Sequence, residues 1–185
     1  MDSLQGHLLI ASTGLLDPNF ARTVVLITVH GDEGTLGLIL NRELSIPLQQ
    51  VWGQVSQCPC VRSENVRQGG PVSGTLMALH DDSKLGDVIV MEDLYFATDL
   101  RVMEALAASS GSRAIFYYGH SGWGPGQLES ELAEGSWLVL PAAPDHVFGE
   151  WDSLALWKET TRDVGRRQLQ SVVALKHVPR DPRLN

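Results

Sequence analysis

Short runs of apolar and β-branched residues, separated by glycine-rich or polar turns, account for most of the chain. Residues 23–29 (TVVLITV) are apolar on both alternating faces, which is typical of a strand buried on both sides. A short polar turn separates this run from a second one at residues 36–40, which predicts an antiparallel hairpin. Further strands are predicted at residues 8–12, 75–80, 87–91, 94–97, 114–118 and 137–140.

Apolar residues at helical spacing occur in shorter stretches between the strands. They predict a helix that Ser45 can cap, with Pro47 in its first turn and with Leu48, Val51, Trp52 and Val55 on one face. Thr98 or Asp99 can cap another helix. The remaining predictions are a helix beginning at Gln127, a helix over residues 151–160, a segment compatible with helix or strand at 166–176, and an extended end at 177–185.

Aromatic residues fall within this apolar pattern. Phe20 ends a predicted turn at residues 17–20 (DPNF) and is expected to pack beneath it as an anchor. Four tryptophans are predicted to be core residues, and these are Trp52, Trp137, Trp151 and Trp157. No linker interrupts the strands, so the sequence predicts one α/β (α+β) domain over residues 1–185, with helices flanking a largely antiparallel or mixed sheet.

Composition narrows the possible functions. A chain of 185 residues that is 43% hydrophobic can bury a sizeable core. Its net charge of −8 argues against nucleic-acid binding, since that affinity comes from Lys and Arg contacts to phosphates. No stretch resembles a signal peptide or a membrane span, which predicts a cytoplasmic protein. Cys58 and Cys60 supply at most half of a zinc site, so neither a metal nor a cofactor is predicted.

Residues 119–126 (GHSGWGPG) predict a tight glycine loop between a strand and a helix. Gly119-His120-Ser121-Gly122 partly matches the G-x-S-x-G nucleophile elbow of serine hydrolases, which makes Ser121 a candidate nucleophile. Trp123 stands where the last glycine should be, and no oxyanion motif accompanies it. A hydrolase is therefore the alternative hypothesis, and no catalytic residue is predicted.

A ligand site is the second hypothesis for the same loop. Glycines at a helix start offer N–H groups without helical partners, which attract anions. Arg42 follows a buried strand, where its charge needs either an internal carboxylate or a ligand. An anionic ligand is expected where residues 122–127 meet Arg42 or the glycine pair. The predicted site residues are Asn41, Arg42, Gly69, Gly70, Gly122, Trp123, Gly124 and Gln127.

Several motifs, taken in order and spacing, resemble the AlgH/YqgE family of bacterial proteins over about residues 5–150. They are GHLLIA at 6–11, DPNF at 17–20, RTVVL at 22–26, GLILNR at 37–42, GGPV at 69–72 and GWGPGQLE at 122–129. The resemblance implies a compact domain whose bifurcated sheet is curled into a partial barrel. One named member is associated with the regulation of alginate production. The resemblance therefore implies a non-enzymatic, regulatory protein that binds a small anionic ligand or a protein partner.

This chain departs from the family pattern at two places. The family usually has Tyr-Ala where this chain has His120-Ser121, which argues against a shared serine nucleophile. It usually has proline where this chain has Glu43, so the turn after Arg42 is expected to differ in geometry.

Overall fold

The computed structural model describes residues 3–86 and 88–176, which form ten strands and five helices. The strands are β1 His7–Ala11, β2 Val24–Gly31, β3 Gly34–Ile39, β4 Glu43–Pro47, β5 Asn65–Gln68, β6 Val72–His80, β7 Val88–Met91, β8 Leu94–Ala97, β9 Ala114–Trp123 and β10 Trp137–Pro141. The helices are α1 Leu48–Val55, α2 Leu100–Ala107, α3 Gln127–Ala133, α4 Pro144–Phe148 and α5 Ser153–Lys176.

The strands form one branched, mixed sheet in the order β10-β1-β2-β3-β9-β6-β8-β7. The branch lies on β9, because its first half pairs in parallel with β5 while its last residues pair antiparallel with β3. Along its other edge β9 pairs with β6, and β4 pairs with β5. The bifurcated, mixed sheet of an α+β domain is thus confirmed. It does not close into a barrel, since β10 and β7 do not pair with each other across the described residues.

The central strands are buried on both faces. Val24 and Leu26 pack into one cluster with residues of α4 and α5, whereas Val25 and Ile27 pack into another around Trp123. A third cluster lies under α1 and α2. Each fully buried Val, Leu or Ile contributes roughly 1.5–3 kcal/mol. The hairpin and the doubly buried strand predicted from the sequence are both present.

The predicted glycine loop is wrong over most of its length, because β9 continues from Ala114 to Trp123. Gly119 has φ +75°, and a Cβ added there would lie 2.6 Å from the Val72 carbonyl oxygen. The opposite strand carries extra residues at this place, so the ladder shifts register across Gly119. The strand therefore bends at the bulge without ending, and the turn before α3 is confined to residues 124–126.

The other predictions for the ends of helices are correct only in part. Asp99 caps α2 by accepting a hydrogen bond from the Arg101 amide at 2.8 Å, as predicted. Helix α1 begins at Leu48 without a side-chain cap, since Ser45 lies within β4. The C-terminal helix is α5, so residues 166–176 are helical, and the predicted extended end at 177–185 lies outside the described residues.

Candidate functional site

Ser121 lies inside β9 and is fully buried. Its hydroxyl donates a hydrogen bond to the Gly69 carbonyl oxygen at 3.2 Å. A nucleophile elbow requires an exposed serine on a strained turn between strand and helix. The predicted turn around Ser121 is wrong, and its side chain instead joins β9 to Gly69, which follows β5.

Gly69 and Gly70 fill the fork where β3 and β5 separate along β9. The Gly69 amide donates to the Tyr118 carbonyl at 3.0 Å, and the Gly69 carbonyl accepts from the Ile39 amide at 2.9 Å. A Cβ on Gly69 would lie 2.1 Å from the Gly119 carbonyl oxygen, and one on Gly70 would lie 2.2 Å from the His120 carbonyl carbon. The absence of a side chain at both glycines therefore lets their backbone pack directly against the backbone of β9.

The predicted site residues at the start of α3 face an aromatic cluster. Trp123 is buried against Phe20 and Trp137, and its Nε1–H donates to Glu131 at 2.9 Å. The Gly124 amide donates to the Gln127 side-chain oxygen at 3.1 Å. Gly122 pairs with β3 in the sheet. Phe20 thus packs as the predicted anchor, and the Gly124 N–H group is already engaged.

The predicted tryptophan core is correct in part. Trp52 and Trp137 are buried, and Trp157 is partly buried with its Nε1–H donating to the Ala11 carbonyl at 2.8 Å. Trp151 is 39% exposed, so its assignment to the core is wrong. It lies just before α5, where its ring packs against Gly149 and its Nε1–H bonds to the Asp145 carbonyl at 2.8 Å.

Asn41 connects three segments of the chain. Its side-chain oxygen accepts from the Val24 amide at 2.9 Å, and its Nδ2 donates to the carbonyls of Arg22 at 2.9 Å and Ser153 at 2.6 Å. Arg22 has φ +59°, a left-handed conformation that is uncommon outside glycine. Asn41 thereby holds the turn that precedes β2 against the start of α5.

Arg42 donates from Nη2 to the Pro18 carbonyl at 2.9 Å. Burial lowers the pKa of Arg42, and the nearby charge of Asp17 partly opposes this shift. Among the described residues no carboxylate lies at ion-pair distance from Arg42, so the internal salt bridge considered from the sequence is absent. A guanidinium has five N–H donors, and the bond to Pro18 uses one of them.

Asn41 and Arg42 line a groove at the start of α5, which we term the α5 groove. Its polar end is a cavity of about 340 Å³ lined by Ala21, Arg22, Asn41, Arg42, Glu43, Gln68, Ser153 and Leu154. Its apolar end is a cavity of about 630 Å³ lined by Ser12, Thr13, Leu15, Leu16, Ala21, Arg22, Leu154, Trp157 and Lys158. The two cavities share Ala21, Arg22 and Leu154. Each volume is near or within the usual range for ligand sites.

The predicted site residues therefore lie in three separate places in the structure. Asn41 and Arg42 line the α5 groove, Gly69 and Gly70 pack on β9, and residues 122–127 adjoin the aromatic cluster. Sequence reasoning missed Arg22 and Leu154, which the fold brings together from distant segments. The sequence did contain one sign of an apolar surface, since Leu16 is an apolar residue outside every predicted element. In the structure its side chain is 83% exposed.

A second cavity, of about 420 Å³, lies where β5 separates from the start of β9. Arg67 lines it together with the carboxylates of Glu43 and Glu64. Arg67 donates to the Leu40 carbonyl at 3.0 Å, and its charge partly opposes the burial that raises the pKa of Tyr117. With two carboxylates beside one arginine, this cavity suits an anion less well than the α5 groove does.

Neither a metal-binding cluster nor a membrane-spanning helix is present in the described residues. Over residues 3–86 and 88–176, no three His, Cys, Asp or Glu side chains converge as metal ligands would. No helix in this part of the chain is both long and apolar enough to cross a bilayer.

Comparison with known proteins identifies the family. The AlgH-like family profile matches residues 8–168. The chain belongs to the AlgH-like family. A UPF0301 protein of Streptomyces avermitilis is 38% identical over 197 residues, covering 100% of this chain and 97% of that protein. Another from Stenotrophomonas maltophilia is 40% identical over 153 residues, covering 79% of this chain and 81% of the relative.

Two solved structures share the fold. The solution structure of AlgH from Pseudomonas aeruginosa superimposes with a TM-score of 0.73 at 32% identity, covering 87% of this chain and 89% of that one. A crystal structure of a Corynebacterium diphtheriae protein has a TM-score of 0.70 at 24% identity, covering 88% of each chain, and this similarity concerns the fold alone.

Proposed function

We propose that this AlgH-like chain is a non-enzymatic, regulatory protein of the cytoplasm that binds a small anionic ligand in the α5 groove. The observation that carries the proposal is the pair Arg22 and Arg42, which line one cavity and have no carboxylate at ion-pair distance within the described residues. Arginine binds carboxylates and phosphates through two parallel N–H bonds. A regulatory role is what the family resemblance implies, and the unbridged thiols of Cys58 and Cys60 are consistent with a reducing compartment.

The electrostatics of the chain support an anion at this place. The protein carries a net charge of −8, so its surface on average repels anions. Arg22 and Arg42, which line one cavity, oppose this repulsion locally. Burial of Arg42 strengthens its interaction with a bound anion, because partial exclusion of water lowers the effective dielectric constant.

The test is a thermal-shift panel of nucleotides, sugar phosphates and carboxylic acids. A ligand at about 100 times its dissociation constant stabilises the native state by roughly 2.7 kcal/mol, which corresponds to a rise in Tm of roughly 5–10 °C. Arg42→Gln should abolish the rise. Arg101→Gln is the matched control, since that side chain is 89% exposed and lies outside the groove.

Two results would overturn the proposal. One is a panel in which no anion raises the Tm of the unmodified protein. The other is a rise that survives Arg42→Gln and Arg22→Gln unchanged, because binding would then occur elsewhere. Co-purification of a protein that occupies the groove, without any small anion, would replace the ligand by a protein partner.

A further inference from the structure

We infer that the ligand of the α5 groove is a carboxylate with an apolar chain, whose carboxylate is held by Arg22 and Arg42 and whose chain lies along Leu16, Leu154 and Trp157. This inference rests on the proposed function, because it names the chemical class of the anion. It depends on the continuity between the polar end and the larger apolar end of the groove.

The apolar end of the groove favours a ligand with a hydrocarbon chain. Leu16 is 83% exposed and Leu154 is 36% exposed, and both line the larger cavity. Such exposure leaves apolar surface in water that a hydrocarbon chain would cover. The indole N–H of Trp157 is engaged by Ala11, so its ring can offer an apolar wall without losing a hydrogen bond. The stem of Lys158 lines the same cavity and can pack on a chain while its ammonium group stays in water.

The charges around the groove favour a carboxylate over a phosphate as the anionic group of the ligand. Three cations line the groove, and these are Arg22, Arg42 and Lys158. Glu43 also lines it, Asp17 acts on Arg42 from nearby, and Asp152 acts on Lys158, so three negative charges stand against the three positive charges. A carboxylate adds one negative charge beside Glu43 and Asp17, whereas a phosphate dianion adds two and is repelled more strongly.

Shared residues join the two ends. Arg22 and Leu154 line both cavities, so a ligand can contact Arg22 with its carboxylate and Leu154 with its first methylenes. Asn41 fixes this junction through its bonds to the Arg22 and Ser153 carbonyls. The spacing between the charged and apolar ends is therefore set before binding, which lowers the entropy lost when the ligand binds.

The experiment is calorimetric titration of the full chain with acetate, butanoate, hexanoate and octanoate at constant ionic strength. Each buried methylene should lower Kd roughly fourfold. Octanol should bind at least tenfold more weakly than octanoate, because it lacks the charge. Octyl phosphate should bind more weakly than octanoate, because Glu43 and Asp17 repel its second negative charge.

Variants separate the two ends of the groove. Arg42→Gln should weaken octanoate at least tenfold while the gain per methylene is retained. Leu16→Ser should reduce that gain while butanoate affinity stays the same. Leu169→Ser is the control for the apolar change, since Leu169 is 68% exposed and lies outside the groove. Because Leu16 is so exposed, its replacement should leave the fold intact.

The outcomes distinguish this inference from the proposed function. If short and long carboxylates bind equally well through Arg42, or if phosphates bind more tightly than carboxylates, the proposed function stands and the apolar-chain carboxylate is wrong. If octanol binds as tightly as octanoate, the carboxylate contact is wrong. If an acidic peptide binds through the arginines and octanoate does not, the ligand class is wrong. If no anion binds, both fail.

Discussion

At the scale of single residues, a side chain that looks suited to ligand binding can be committed to the fold. Asn41 was predicted to bind a ligand, and in the structure both of its side-chain polar atoms are bonded to backbone groups. Arg42, its neighbour, uses a single donor atom on the Pro18 carbonyl. Of these two adjacent residues, Asn41 therefore stabilises the groove, whereas Arg42 lines it with a positive charge.

Asn41→Ala should destabilise the protein by about 2–4 kcal/mol, because it removes the hydrogen bonds to the buried Val24 amide and to the partly buried carbonyls of Arg22 and Ser153. Urea unfolding followed by circular dichroism measures the loss. The control is Asn65→Ala, since Asn65 is exposed and donates to Glu43 at the surface. A change of about 0.5 kcal/mol or less on Asn41→Ala would show that the three segments are held by other contacts.

Ser121 gives a chemical prediction at the same scale. A fluorophosphonate probe should leave the protein unlabelled, because the hydroxyl is fully buried and donates to Gly69. Mass spectrometry of the intact protein detects any adduct. Stoichiometric labelling that disappears in Ser121→Ala would establish an activated serine and restore the hydrolase hypothesis.

At the scale of elements, local patterns predicted the strands well and the course of β9 poorly. The apolar run at residues 114–118 predicted a strand, but its continuation through the bulge at Gly119 to Trp123 was not readable from the sequence. Glycine and proline in residues 119–126 then predicted a loop, although β3 and β6 both pair with this stretch. The decisive contacts come from residues far away in sequence. The same holds for the α5 groove, which joins the turn before β2 to a helix over a hundred residues later.

The short helix α4 predicts a pH dependence. Burial lowers the pKa of His146, partly opposed by Asp163 and Asp145, and the ring Nδ1 accepts the Ala143 amide at 2.9 Å. The unfolded state therefore binds the proton more readily than the folded state does. The contribution to stability is present above the unfolded pKa, near 6.5, and is lost as pH falls toward the folded pKa.

His146→Gln tests this dependence, since glutamine can accept the same amide bond and does not titrate. Denaturant unfolding between pH 7.5 and about pH 5 should show a smaller loss of stability in the variant than in the unmodified chain. Equal losses in the two proteins would assign the pH dependence to other groups.

At the scale of the whole molecule, the three apolar clusters share strands of one sheet, so none can lose its packing alone. Residues of β9 enter all three clusters, with Tyr117 in the first, Phe116 in the second and Trp123 in the third. We therefore expect a single cooperative unfolding transition. Trp52 reports on the cluster under α1 and α2, while Trp123 and Trp137 report on the cluster beside α3.

Tryptophan fluorescence of Trp52→Phe and of Trp123→Phe, each followed with circular dichroism, should give coincident denaturation curves within each variant. The Trp52→Phe chain then reports mainly on the α3 side, and the Trp123→Phe chain retains the signal of the α1 side. Both replacements keep an aromatic ring in the cluster, although Trp123→Phe also leaves Glu131 with one fewer hydrogen-bond donor. Curves in which fluorescence precedes circular dichroism in one variant alone would reveal two independently unfolding units, and the branch at β9 would then mark the boundary between them.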